Sequence, residues 1–102
     1  MKPEKSRASA NVFEDLGFSA REARHLKVRA DLLIALQEAI ARRRIRQSEA
    51  ARILRITQPR VSNLLAGRLD LFSTDALIDL LARLGIEVRF SLKPRKKTGR
   101  VA

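Results

Sequence analysis

The segment 47–67, QSEAARILRITQPRVSNLLAG, constrains the fold of this chain more than any other part of it. Apolar residues recur in it at three- and four-residue steps on both sides of a break around Ile56, which predicts short helices over 47–54 and 58–66. Ala51 is small where the second helix has to cross the first closely. The predicted inward positions are Ala50, Ala51, Leu54, Ile56, Val61, Leu64 and Leu65. Two helices related in this way form a helix-turn-helix, whose second helix enters the DNA major groove.

The composition fits one small domain with an anionic partner. The 102 residues are 45% hydrophobic and carry a formal net charge of +11, which gives enough apolar content for one core and favours nucleic acid. All four aromatic residues are Phe, which argues against a stacking platform for single strands. The chain has no Cys, hence no disulfide, thiolate metal site or Cys nucleophile. It shows no secretory signal and no apolar run of about 20 residues, so we expect a cytoplasmic protein.

The positive charge is concentrated at the two ends. Residues 1–11 carry a net charge of +2 and residues 93–102 carry +5, which leaves +4 for the residues between them. Both ends are polar and contain Pro or Gly, which predicts basic flexible arms over 1–10 and 93–102 around a DNA-binding domain over 11–92. Such arms either reach phosphates that a rigid domain cannot reach or only keep the protein soluble.

Two further helices are predicted on either side of the motif. One runs from Ser19 to about Arg43, because its apolar residues keep a helical period and Ser19 forms a capping box with Glu22. The other begins at Ser73, a capping residue, and is closed by Gly85. The motif is therefore expected to sit within a small helical bundle.

The apolar period changes from 3.6 to 2 after Gly85, which predicts one amphipathic strand. Its apolar positions are Ile86, Val88, Phe90 and Leu92. A single strand needs a ladder partner, and the only internal candidate is the lead-in around Phe13. We expect a second copy to supply it across a two-fold axis, the alternative being an extended tail docked on the helices. The predicted fold class is mainly α, a repressor-like helix-turn-helix bundle with one C-terminal β-strand paired across a dimer.

The outer face of the second motif helix carries groups that can read base edges. At about 100° per residue, Val61, Leu64 and Leu65 define the buried side. Asn and Gln amides bond to adenine N6 and N7, and Arg bonds to guanine O6 and N7. Pro59 costs nothing in the first helical turn, where its amide would have no helical partner. The predicted base-contacting residues are Gln58, Pro59, Arg60, Ser62 and Asn63.

Arginines crowd the approach to the first motif helix, a position at which phosphates commonly bind. A solvated face is the usual explanation for such a run, but its place beside the motif favours phosphate contact. Thr57 is placed to cap the second motif helix and so to position it. The arginines predicted to contact phosphates are Arg43, Arg44, Arg46, Arg52 and Arg68.

Catalysis and metal binding find little support in the sequence. His25 is the only histidine, and no Ser or Cys stands at a recognisable catalytic spacing from it, which favours a surface residue. Asp75 and Asp79 share a helix face, but the helix dipole and an i,i+4 pair of Asp79 with Arg83 account for them. No Gly-rich phosphate loop or zinc pattern is visible. We therefore expect no enzyme activity, no cofactor and no metal.

The chain resembles the Xre/Cro/C1-type family of repressor-like DNA-binding proteins, and more narrowly its HigA-like antitoxin and regulator branch, over about residues 11–92. The blocks that carry the resemblance are NVFEDLGF, QSEAARILRITQPRVSNLLAGRLDLFS and LIDLLARLGIEVRFSL. It implies a compact helical domain, dimers, operator binding and, in many members, a neighbouring toxin gene. It also implies that Gln47 braces Gln58 against a base. Arg55 departs from the family, which usually has Gly at this turn; a left-handed non-Gly residue costs about 1 kcal/mol and predicts a looser turn.

We expect a transcriptional repressor that binds a specific double-stranded DNA sequence, as a homodimer on a palindromic operator. The resemblance extends this to autoregulation of a toxin–antitoxin operon. The alternative is an antitoxin whose main role is to bind and mask a toxin protein, with DNA binding secondary; a toxin-like reading frame directly upstream would favour it. A basic nucleic-acid binder without sequence preference would not need the polar groups displayed on one face of the second motif helix. No membrane partner is expected.

Overall fold

The computed structural model describes residues 10–94, all of whose regular secondary structure is helical. Most of the two predicted arms, residues 1–9 and 95–102, lies outside the described residues. The elements are α1 (Ala10–Asp15), α2 (Ala20–Arg43), α3 (Gln47–Leu54), α4 (Gln58–Leu65), a 3-10 turn (Leu69–Leu71) and α5 (Thr74–Arg83). Within residues 10–94 no helix combines the length and the hydropathy that a bilayer span requires.

The long helix α2 begins and ends where its sequence dictates. The Ser19 amide donates to Glu22 Oε1 at 3.0 Å and the Glu22 amide donates to Ser19 Oγ at 3.1 Å, so the predicted capping box is confirmed. The predicted end at Arg43 is confirmed as well, because Arg44 takes a left-handed conformation with φ of 54° and stops the helix. At 24 residues α2 is about 36 Å long, enough to contact most of the other elements.

The core lies between the C-terminal half of α2 and the helices α3, α4 and α5. Phe72, which follows the 3-10 turn, is among its largest fully buried side chains. The buried members are Leu33, Leu36, Ala39, Ile40, Ala50, Leu54, Val61, Leu64, Phe72, Leu77, Leu80, Leu81 and Leu84. At about 25 cal/mol per Å² of buried apolar surface, this cluster is the main source of stability for the short helices.

Side chains from distant parts of the chain bind the last carbonyls of all three short helices α3, α4 and α5. Gln37 Nε2 donates to the Leu64 carbonyl at the end of α4 at 2.8 Å. Arg83 Nη1 donates to the Leu54 carbonyl at the end of α3 at 2.6 Å, and Arg43 Nη2 donates to the Leu84 carbonyl at the end of α5. The two arginines satisfy carbonyls that a helix end leaves open and oppose the negative end of the helix dipole, whereas Gln37 adds a second donor to a carbonyl that also accepts from the Gly67 amide.

The bond made by Arg83 replaces the ion pair that its spacing predicts. Arg83 points to the end of α3 rather than back to Asp79, and the described residues contain no Asp79–Arg83 salt bridge. A carbonyl with no helical partner is the better acceptor, because its alternative is to stay unsatisfied in a half-buried place.

The predicted C-terminal β-strand over Ile86–Leu92 is wrong, because residues 86–94 have no regular secondary structure, whereas the mainly α class is correct. Ile86 and Val88 pack half-buried against the core, whereas Phe90 is 66% and Leu92 is 92% exposed. The Ile86 amide donates back to the Leu81 carbonyl at 2.9 Å. The alternating apolar residues therefore mark the side of an extended segment that packs on the helices. Such a segment needs no neighbouring strand.

The lead-in before α2 is helical and so cannot supply a strand. α1 packs against α2, and the chain returns through Gly17, whose φ of 103° suits a residue without a side chain. The Phe13 and Phe18 rings meet edge to face with centroids 6.3 Å apart and hold this turn closed. The described part of the chain is consequently an all-helical fold.

The turn between α3 and α4 is regular, not loosened by its non-Gly residue. Arg55 adopts φ of 60° and ψ of 42°, and the Ile56 amide donates to the Ala51 carbonyl at 3.1 Å. This is the hydrogen-bonding pattern of a left-handed helix cap, in which Gly is the residue without steric cost.

Arg55→Gly should therefore raise the free energy of unfolding by about 1 kcal/mol, because it removes the strain of a left-handed residue with a side chain. The greater conformational entropy of Gly in the unfolded chain offsets part of this gain. For a domain of this size the midpoint of thermal unfolding should rise by about 4–8 °C per kcal/mol. Arg52→Gly, inside α3, is the matched control and should lower stability by a similar amount. A lower midpoint for Arg55→Gly would contradict the strain assigned to this turn.

Candidate nucleic-acid interface

The helix α4 is held by its ends and its inner face, which leaves its outer face free. Thr57 Oγ1 accepts from the Arg60 amide at 3.2 Å, so the predicted capping role of Thr57 is confirmed. Pro59 lies in the first turn, where its missing amide proton costs nothing. Val61 and Leu64 are fully buried against the core. Because both anchors point inward, the opposite side of α4 faces solvent.

This outer face presents the side chains predicted to contact bases. Gln58, Pro59 and Ser62 are exposed, and Asn63 is half-buried beside them. No hydrogen bond or ion pair within residues 10–94 occupies the side chains of Gln58, Ser62 or Asn63. Their donors and acceptors are therefore available to base edges, as direct readout requires.

Leu65 does not lie on the buried side as predicted, since it is 37% exposed. The burial of α4 is centred between Val61 and Leu64, and at about 100° per residue Leu65 falls on one rim of that face. The other predicted inward positions are buried or half-buried. They are Ala50, Ala51, Leu54, Ile56, Val61 and Leu64.

Arg60 occupies the other rim of α4 and has partners inside the protein. Its guanidinium carbon lies 4.3 Å from the centroid of the Phe72 ring, and Nη1 donates to the Leu71 carbonyl at 3.0 Å. These contacts fasten the end of the 3-10 turn and Phe72 to α4. Base contact by Arg60 stays a prediction, and the guanidinium donors that do not bond to the Leu71 carbonyl remain available for it.

The predicted phosphate-contacting arginines divide into two groups. Arg44, Arg46, Arg52 and Arg68 are exposed around α3 and α4. Two of them have only weak surface pairs, Arg52 with Glu49 at 3.9 Å and Arg68 with Asp70 at 3.4 Å. Arg43 differs, because its guanidinium caps α5 at the Leu84 carbonyl. Sequence spacing could not reveal that role, since the two residues are 41 positions apart.

Gln47 and Gln58 open α3 and α4 respectively, as the resemblance implies. Both side chains are exposed, and within residues 10–94 no hydrogen bond joins them. The brace between them stays a prediction for the DNA-bound protein.

The described residues offer no metal centre. Within residues 10–94 no group of three or more His, Cys, Asp or Glu side chains is placed to hold a metal ion. His25 is exposed at the edge of an open groove on α2. What the interface offers is hydrogen-bonding groups on a projecting helix face, flanked by cations.

Comparisons with known proteins agree with this geometry. A family model described as a helix-turn-helix domain matches residues 12–93, which include α3 and α4. A solved structure described as an XRE family transcriptional regulator is similar at 32% identity with a TM-score of 0.70, and the match covers 79% of this chain and 91% of that chain. The comparison with curated proteins gave no match.

Arg43→Ala should lower the free energy of unfolding by about 1 kcal/mol, because the last carbonyl of α5 loses a charged donor. Arg42→Ala is the matched control: it removes a neighbouring exposed arginine whose side chain has no hydrogen bond or ion pair within residues 10–94, and it should change stability by less than about 0.5 kcal/mol. Urea denaturation of the two variants measures the difference. Equal stabilities would show that the cap contributes nothing.

Proposed function

The chain belongs to the helix-turn-helix domain family and is an XRE-type DNA-binding transcriptional regulator, and from this premise we propose that it represses transcription by binding a specific palindromic operator as a homodimer. The proposal assigns it no catalytic role. Occupation of an operator that overlaps a promoter would exclude polymerase, and this requires only affinity and sequence discrimination.

The observation that carries the proposal is the outer face of α4. Gln58 and Asn63 bear amides that can bond in pairs to adenine N6 and N7, and Ser62 can serve either kind of base. The two side chains that anchor α4 in the core, Val61 and Leu64, both lie on its inner face. A helix presented in this way can enter the major groove without any rearrangement of the core.

The exposed arginines supply the contacts that orient the protein on the duplex. Arg46 precedes α3 and is exposed, with no side-chain bond to the end of that helix. Together with the free amides at the start of α3 it forms a site for a phosphate. Such contacts give affinity without sequence information, so they should act equally on operator and random DNA.

We also propose that the operator lies in the protein's own operon, beside a toxin gene. The support is the resemblance of the blocks NVFEDLGF and LIDLLARLGIEVRFSL to the HigA-like branch. Binding of the purified protein to the promoter of its own transcription unit, with a small toxin-like reading frame in that unit, would support this finer role. Selected sites that are absent from that promoter would exclude it.

Selection of binding sites from random duplexes should yield a palindromic site, on which the variants can be compared. Gln58→Ala and Asn63→Ala should each cost about 1–3 kcal/mol on the selected site and much less on random DNA. Arg46→Ala should weaken both alike and reduce the slope of log K against log salt by about one unit.

Ser91→Ala is the control for these variants, since it removes an exposed polar group from the segment after α5. Its affinity for both DNAs should equal that of the parent. Unchanged affinities for Gln58→Ala and Asn63→Ala on both DNAs would rule out α4 as the reading helix.

A further inference from the structure

The N-terminal part of the molecule carries an apolar surface that the core leaves uncovered. The core cluster contains no residue of α2 before Leu32, so the first three turns of α2 have α1 as their main cover. On and beside α1, Val12 is 51%, Leu16 is 69% and Phe18 is 43% exposed. Large apolar side chains grouped at this exposure are typical of an interaction surface.

An open groove of about 700 Å³ lies next to α1 along the same part of α2. Phe18 and Leu26 form its apolar walls, and Arg21 and Arg29 line it with positive charge. Glu22 is also present, but its carboxylate is engaged in the capping box of α2. The groove therefore combines apolar surface with cations that have no counterion from its own lining.

Arg29 is the residue that most requires a partner. Its Nε is buried and finds no hydrogen-bond acceptor within residues 10–94. A covering surface cannot reach Nε itself, but Arg29 is only half-buried, and a carboxylate at the accessible part of its guanidinium would form a charge-assisted hydrogen bond. The surface that covers the groove is thus expected to bring an acidic side chain.

α1 is complementary to the groove, because it combines exposed apolar side chains with an acidic one. At about 100° per residue, Asp15 lies next to the exposed apolar pair Val12 and Leu16, whereas Glu14 points to the opposite side of the helix. Within residues 10–94 Asp15 forms no ion pair. Its negative charge is at the C-terminal end of α1, where the helix dipole disfavours it, so an external cation would stabilise it.

We propose that a second copy of this chain covers the groove: α1 of each protomer lies in the groove of the other, with Val12 and Leu16 against Phe18 and Leu26 and with Asp15 facing Arg29. An acidic apolar patch and a basic apolar patch on the same chain can pair reciprocally around a two-fold axis. The inference rests on the homodimer of the proposed function, and it locates the interface on α1 and α2, away from the reading helix α4.

Sedimentation of the full chain over a wide range of protein concentration tests this interface. Asp15→Arg and Leu16→Asp should each weaken the dimer by at least about tenfold, because the two-fold axis introduces every change twice. Glu14→Arg is the matched control, with the same charge change on the same short helix but on its other side. This variant should change the dissociation constant of the dimer by less than about threefold.

The charge swap is the decisive variant. Arg29→Asp should weaken the dimer as Asp15→Arg does, and the two changes in one chain should restore it, because they exchange the signs of a pair that forms twice. Circular dichroism checks that each variant is folded. If Arg29→Asp unfolds, Arg29→Gln takes its place, and combined with Asp15→Asn it should weaken the dimer by less than the two single changes added together.

The inference would be overturned, and the interface would lie elsewhere, if the dissociation constant of the dimer did not change with the substitutions at Asp15, Leu16 and Arg29. The same holds if Glu14→Arg changed it as much as they do. A parent protein that is monomeric at all concentrations would overturn both the inference and the homodimer. Neither result bears on base reading by α4, which the effect of Gln58→Ala on a single half-site measures separately.

Discussion

The burial of Val61 and Leu64 is the constraint on which the rest of this structure depends. α3 and α4 have eight residues each, too few for a helix to be stable in water on its own. α4 exists because those two side chains enter the core and because Thr57 and Gln37 satisfy its two ends. Once its inner face is fixed in this way, geometry decides which side chains face outward.

The same constraint explains the division of labour around α4. Ser62, opposite the buried anchors, and Gln58, on the flank of the same outer face, are exposed and have no side-chain partner within residues 10–94. Residues at the rims are drawn into the structure instead, as Arg60 is by Phe72 and the Leu71 carbonyl. A reading surface needs both parts: groups that are free to bond to bases, and neighbours that hold the helix at a fixed orientation.

What the sequence predicts well here is local. The capping box of Ser19, the cap of Thr57 and the inward positions of α3 and α4 all depend on residues a few positions apart, and the structure confirms them, Leu65 excepted. The prediction of a strand was wrong because it too used only local spacing. A period of 2 reports that Ile86 and Val88 share a side, which is equally true of a segment docked on helices. α1, with six residues, is too short to show a helical period.

What the sequence could not predict is long-range hydrogen bonding. Gln37, Arg83 and Arg43 bond to carbonyls 27, 29 and 41 residues away, and no spacing rule reaches so far. Their role changes how the net charge of +11 should be interpreted. An arginine that caps a helix end keeps other N–H donors, but the bond fixes where its guanidinium lies, so it can reach a phosphate only if the backbone passes beside that helix end. The number of cations that DNA recruits is therefore smaller than the number near the motif. The salt dependence of binding should follow the exposed, uncommitted arginines such as Arg46 rather than the total charge.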